Sequence, residues 1–164
     1  GEGTLFRIRL FLPQVHSAQA ARELPRVDRV AYAGVRRRIL VVDNEKVDRE
    51  LLCTMLEPLG FIVEQAASGF ECLAIVPRLA PDVIFMDLGM PGIDGFEMIR
   101  RLRADPQLQE LDIVVVSGLA DDEILENGGL PADVILYSKP VPFRELKGYV
   151  QAKIMALQRR GRAV

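Results

Sequence analysis

From Ile39 onward the chain alternates between short apolar runs and longer segments whose apolar residues recur at helical spacing. Ile39–Val42 is apolar and stops at Asp43; Val47, Leu51, Leu52, Met55, Leu56 and Leu59 then predict one helical face, closed by Gly60. Phe61–Glu64 predicts a second strand. Ser68 and Glu71 form a capping pattern ahead of a helix whose face is Phe70, Leu73, Val76 and Leu79. Val83–Met86 is wholly apolar, as suits a strand buried on both sides of a parallel sheet. It ends abruptly at Asp87, and Gly89, Pro91 and Gly92 forbid a regular continuation. Asp94 and Glu97 bracket the start of a third helix with Phe96, Ile99 and Leu102 inward. Leu111–Val116 reads as a fourth strand ending at Ser117-Gly118, and Asp121 to Asn127 as a short helix before Gly128-Gly129. Val134–Tyr137 is the fifth strand, followed by Ser138-Lys139-Pro140. Pro142 then opens a last helix with Phe143, Leu146, Val150, Ile154 and Leu157 inward.

Strands that each lead into a helix specify a parallel sheet with right-handed crossovers and helices on both faces. In such a sheet every strand ends on the same edge. Asp43, Asp87, Ser117 and Lys139 close the first, third, fourth and fifth strands, so residues far apart in sequence converge there. Two carboxylates, a hydroxyl and an ammonium suit phosphoryl transfer, which needs positioning and charge neutralisation more than acid–base work. Asp43 and Asp87 offer hard oxygen ligands for Mg²⁺. Asp87 can attack phosphorus to give an aspartyl phosphate, whose oxygens the metal, Lys139 and Ser117 would hold. No histidine or cysteine falls at these strand ends to support protease-like or zinc chemistry.

The segment ahead of Ile39 has a different character. Residues 1–13, GEGTLFRIRLFLP, alternate Phe6, Ile8 and Leu10 with Arg7 and Arg9 and read as a half-exposed strand. Residues 14–37 shift to Ala, Arg and polar residues interrupted by Pro25 and Gly34, and read as a linker. The sole histidine, His16, falls within it and reads as an exposed bystander. The domain proper is expected over 38–158, with a basic tail over 159–164. A net charge of −2 in 164 residues gives no global argument for nucleic-acid or anionic-membrane binding. Cys53 and Cys72 lack metal-ligand spacing and read as small buried hydrophobes in a reducing compartment. No apolar run approaches the roughly 18 residues of a membrane span.

Four motifs then resemble one family in order and spacing. ILVVDN is similar to the first-strand acidic motif, DLGMPGIDG to the phosphoacceptor motif, VVVSGLA to the fourth-strand hydroxyl motif and YSKP to the lysine–proline motif of response-regulator receiver domains. The resemblance covers Arg38 to about Leu157. It implies a flavodoxin-like sheet in the order 2-1-3-4-5 with five helices. It further implies that Asp87 accepts a phosphoryl group from a phosphohistidine on a partner kinase or phosphotransfer domain. Asp43 and the Gly89 backbone carbonyl would help Asp87 hold Mg²⁺, Ser117 would be the switch hydroxyl, and Lys139 would bind phosphate beside a cis bond to Pro140. Two departures stand out. Asn44 replaces the family's second acid, although an amide oxygen can still ligate a cation. Leu136 stands three places before the lysine, where the family carries its aromatic switch residue; Tyr137 is one place along and should face the opposite side.

The opening GEGTLFRIRLFLP is similar to the last strand of the ATP-binding domain of sensor histidine kinases. That implies a piece of a hybrid histidine kinase: the end of a catalytic domain, a linker and a C-terminal receiver. The expected setting is the bacterial cytoplasm, with the parent chain open to membrane anchoring. Expected partners are a histidine-phosphorylated protein, a downstream phosphotransfer protein and a second copy as homodimer, with no direct nucleic-acid or membrane contact. Two other readings remain open at the level of sequence. Asn44 motivates a receiver-like interaction module that takes no phosphate, and the α/β pattern also admits an Asp-nucleophile phosphohydrolase, although those carry their nucleophile on the first strand.

Overall fold

The computed structural model describes residues 37–160, with side chains through Lys153. The expected strand over 1–13, the linker with His16, the inward Ile154 and Leu157, and most of the tail lie outside what is described. Five strands and five helices alternate: β1 (Arg38–Val42), α1 (Lys46–Leu56), β2 (Ile62–Ala66), α2 (Gly69–Leu79), β3 (Val83–Met86), α3 (Gly95–Ala104), β4 (Asp112–Ser117), α4 (Asp121–Glu126), β5 (Ile135–Ser138) and α5 (Phe143–Arg160). All pairings are parallel, in the order β2-β1-β3-β4-β5. This is the flavodoxin-like order expected from the resemblance.

Two apolar layers sandwich the sheet. Alternate residues of the central strands, such as Leu40, Ile84, Met86, Ile113 and Val115, pack with α2, α3 and α4. Their neighbours Val41, Phe85, Val114 and Val116 pack with Leu52, Cys53 and Leu56 of α1 and Leu146 and Val150 of α5. Burial on both faces explains why β3 is a continuous apolar run. Both cysteines are buried, and burial pushes the Cys72 thiol up to about 12.

Four residues expected on inward helical faces point outward. Val47 is 74% exposed, Leu51 43%, Phe70 65% and Phe143 45%. In α1 the buried stripe is Leu52, Cys53 and Leu56, and Val47 and Leu51 fall on the far side of a 3.6-residue turn. In α2 the stripe is Cys72, Ile75, Val76 and Leu79, which places Phe70 opposite it. Reading Cys72 and Ile75 as the seam would have shown this.

The helix starts follow the caps. Asp94 accepts a hydrogen bond from the Glu97 N–H at 2.8 Å, and Ser68 Oγ one from the Glu71 N–H at 3.2 Å. Glu71 also reaches back to the Ala67 N–H at 2.7 Å. Glu97 instead pairs with Arg101 and Arg100, which lower its pKa. The strand ladders run one bond past the strand ends. Asp43 N–H donates to the Ala66 carbonyl at 3.2 Å, Asp87 N–H to Val42 at 2.9 Å and Lys139 N–H to Ser117 at 2.9 Å. These bonds hold the residues beyond β1, β3 and β5 at one edge of the sheet.

Candidate functional site

Asp43, Asp87 and Lys139 meet at that edge, as their strand-end positions predict. Asp87 is 8% exposed. Its Oδ1 accepts the Leu88 N–H at 2.8 Å, while Oδ2 lies 3.6 Å from Lys139 Nζ, close enough to feel the charge but too far for a hydrogen bond. One carboxylate oxygen is thereby anchored and the other left available. The loop beyond is fitted closely to it. A side chain on Gly95 would strike the Asp87 carbonyl oxygen at 2.5 Å and Leu88 Cα at 2.7 Å. Gly89 is placed so that a Cβ would come 3.7 Å from Asp87 Oδ2, which sets its backbone beside the carboxylate. Gly92 adopts φ +81°, where the loop turns.

Asp43 is 2% exposed and fully engaged: Oδ1 accepts the Glu45 N–H at 2.7 Å and Oδ2 accepts from Lys139 Nζ at 2.7 Å. Burial raises its pKa against the opposing pull of Lys139 and the Glu45 amide. Arg49 Nη1 donates to the Asp43 carbonyl at 2.6 Å and ties β1 to α1. Burial alone would lower the Lys139 ammonium's pKa, but hydrogen bonds to Asp43 and Asp48 and the charge of Asp87 raise it above the ordinary lysine value. Lys139 is a fixed cation. Its bond to Pro140 is cis, as expected from the resemblance.

Ser117 is 1% exposed at the end of β4, and its Oγ accepts the Leu119 N–H at 3.3 Å. The hydroxyl is therefore held by the β4–α4 loop. Asn44 is half-buried, its Nδ2 donating to Glu45 Oε1 at 3.2 Å. Leu136 packs on the α2–α4 side of the sheet and Tyr137 on the α1–α5 side, so the two expected switch positions occupy opposite faces. Strand alternation predicts that separation.

One participant escaped the sequence reading. Asp48, in the first turn of α1, places Oδ2 2.6 Å from Lys139 Nζ. An acid there reads as an ordinary complement to the helix dipole. No strand-end rule points to it.

The donors at this edge are oxygens, the ligand type a hard divalent cation takes. Among the described residues no set of three or more His, Cys, Asp or Glu side chains is arranged as a ready cage. Asp43 and Asp48 close instead on the Lys139 ammonium. The available Asp87 Oδ2, the Asp43 carboxylate and the adjacent Gly89 backbone nevertheless suit a cation that keeps several waters, as Mg²⁺ does.

Comparison with known proteins agrees with this geometry. Residues 39–151 match the model of the response regulator receiver domain. The response regulator MprA of Mycobacterium leprae is 39% identical over 125 residues, covering 75% of this chain and 51% of that protein. The sensor kinase CckA of Brucella abortus is 32% identical over 151 residues, covering 87% of this chain and 15% of that protein. Among solved structures, a sensor protein from Polaromonas sp. JS666 superposes with a TM-score of 0.66 at 32% identity, over 74% of this chain and 98% of that one. Chemotaxis protein CheY4 of Vibrio cholerae gives 0.65 at 27% identity, over 72% and 98%. The chain spans about half the length of the curated response regulator and far less of the sensor kinase.

Proposed function

The chain belongs to the response regulator receiver family, and on that premise we propose that it is a phosphoacceptor switch in which Asp87 takes a phosphoryl group from a phosphohistidine. The observation that carries the reading is the Asp87 carboxylate itself: buried, with one oxygen fixed by Leu88 and the other available beside an ammonium. That oxygen attacks phosphorus in line. The P–N bond to the donor imidazole breaks as the P–O bond forms, and the released nitrogen takes a proton from water. Lys139 neutralises charge on the transferred group, and the Ser117 hydroxyl, whose oxygen accepts the Leu119 N–H, keeps its own O–H to donate a hydrogen bond to a phosphoryl oxygen. The residues that would hold Mg²⁺ are Asp43, Asp87 and the Gly89 carbonyl, with Asn44 alongside. The bound ion would screen the charge of carboxylate and incoming phosphoryl group.

A phosphohydrolase reading is weaker. Its first-strand nucleophile would be Asp43 in an Asp-x-Asp pattern, whereas Asn44 and Glu45 follow Asp43 here. The relatives that are sensor kinases favour the receiver of a hybrid kinase acting in the cytoplasm, with a phosphohistidine kinase or phosphotransfer domain as donor and a phosphotransfer protein downstream. Among the described residues no helix is long and apolar enough to cross a membrane.

The test is labelling with acetyl phosphate and Mg²⁺, followed by mass spectrometry of the intact protein. One phosphoryl group per chain is expected, lost in Asp87→Asn with the fold retained. Rapid multiple turnover would favour the hydrolase, and no adduct the phosphorylation-independent module that Asn44 suggests.

A further inference from the structure

The ammonium of Lys139 has three protons to donate. Two are directed at Asp43 Oδ2, 2.7 Å away, and Asp48 Oδ2, 2.6 Å away. Both acceptors lie on the β1–α1 side. The acceptor carboxylate of Asp87 is left at 3.6 Å. Asp43 alone would offer the lysine one anchor, because its other oxygen is taken by the Glu45 amide. Asp48 supplies the second. Among the described residues nothing else uses that carboxylate: it caps no helix, and its hydrogen bond to Lys139 joins residues 91 apart in sequence.

The charges tell the same story. Three carboxylates (Asp43, Asp48 and Asp87) face one ammonium. Asn44 leaves the β1 end one acid short of the pattern its family suggests, and Asp48 restores that charge from the helix. It restores it 2.6 Å from the ammonium, closer than the 3.6 Å at which Asp87 lies. An acid placed there does not merely add charge; it takes up one of the three protons the ammonium could offer a group on Asp87.

We propose that Asp48 is a positioning residue that holds Lys139 off the Asp87 acceptor, so that the lysine reaches the phosphoryl group only by giving up the Asp48 ion pair. The proposal rests on Asp87 being the phosphoacceptor. A phosphoryl group brings close to two negative charges and strong acceptor oxygens, enough to compete for the ammonium. The Asp48 pair then opposes the phosphorylated state and lowers its occupancy at any given donor concentration. Asp48 is more exposed than Asp43, so it is the pair that water can replace when the lysine leaves.

The experiment is binding of beryllofluoride, a phosphoryl mimic, at saturating Mg²⁺, to the wild type, Asp48→Asn and Asp48→Ala, each alone and combined with Lys139→Ala. Both Asp48 variants should bind the mimic about threefold to tenfold more tightly, the scale of a partly exposed charge-assisted hydrogen bond. In the Lys139→Ala background the same changes should have no effect. Glu45→Gln, which removes an exposed acid nearby without touching the lysine, should stay near the wild type. Unchanged or weaker binding in the Asp48 variants would overturn the proposal. So would a gain that survives loss of Lys139, or one that Glu45→Gln reproduces, since either would reflect general charge. A wild type that binds no mimic overturns the phosphoacceptor reading itself and the role built on it. The Lys139 ammonium signal by NMR, shifted in Asp48→Asn, reports the resting ion pair in either case.

Discussion

Leu136 and Tyr137 are adjacent in β5 yet pack on opposite faces of the sheet, Leu136 with the α2–α4 layer and Tyr137 with the α1–α5 layer. Ser117 shares parity with Val115, which packs in the α2–α4 layer and pairs with Leu136 across the ladder. Leu136, an aliphatic residue, is therefore the neighbour in β5 that shares the face of Ser117. The ring of Tyr137 is on the other face.

Tyr137→Phe should accordingly leave phosphorylation by acetyl phosphate and the accompanying change in amide NMR shifts unaltered. Leu136→Ala should lose about 1–2 kcal/mol of stability in urea unfolding, as a partly buried aliphatic side chain is truncated. It should also change the shift pattern around Ser117 on phosphorylation. A Tyr137→Phe variant with an altered response would show that the ring takes part from the far face.

The fold was legible because its signals are local and redundant. The central strands β1, β3 and β4 are short apolar runs ended by a polar or turn residue, and each helix has a cap or a seam. Asp43, Asp87, Ser117 and Lys139 could be brought together because topology alone puts strand ends on one edge. Asp48 could not. Its role depends on how far one helical side chain reaches across the site, which no period or motif encodes. Val47, Leu51 and Phe70 misled for a related reason: apolar residues occupy both sides of α1 and α2, and only packing selects which side is the seam.

Two glycines make opposite predictions. Gly95→Ala should destabilise the protein by about 1–3 kcal/mol, the cost of forcing atoms into a packed site. The obstacle is backbone, the Asp87 carbonyl at 2.5 Å, which cannot rotate aside. The same shift should disturb the Asp87 carboxylate and slow labelling by acetyl phosphate. Gly148→Ala lies within α5 with nothing within 4 Å of the new methyl, and should stabilise by about 0.5–1 kcal/mol. Urea midpoints of the two variants check both signs.

Asn44→Asp should bind Mg²⁺ more tightly, about threefold to tenfold, because a carboxylate replaces an amide beside Asp43 and Asp87. Without the metal the variant should be less stable, since a further acid joins a site already rich in carboxylates. Asn44 contacts Glu45 and not Lys139, so the effect should persist when Asp48 is neutralised. Calorimetric Mg²⁺ titration and thermal unfolding in chelator give the two readouts. Equal affinities would mean that the Asn44 amide oxygen ligates as well as an acid.

Tyr149 gives a pH prediction away from the Asp87 edge of the sheet. It lines a small hollow with Arg37, Ile39, Phe61, Asp82 and Lys153, at the end of the sheet where the strands begin. Burial, reinforced by the charge of Asp112, pushes its phenol up to about 12 from the ordinary 10. A native pKa above the unfolded one means that the folded protein holds this proton more tightly. The resulting stability is fully present below pH 10, where both states are protonated. It is lost as pH rises toward 12, because the unfolded chain ionises first. Tyr149→Phe removes the titrating group while keeping the ring. Near neutral pH the variant should match the wild type closely, as no hydrogen bond of the hydroxyl has to be broken among the described contacts. Between pH 10 and 12 the wild type should lose stability faster than the variant. Parallel urea midpoints across that window would show that Tyr149 ionises as freely in the fold as in the open chain.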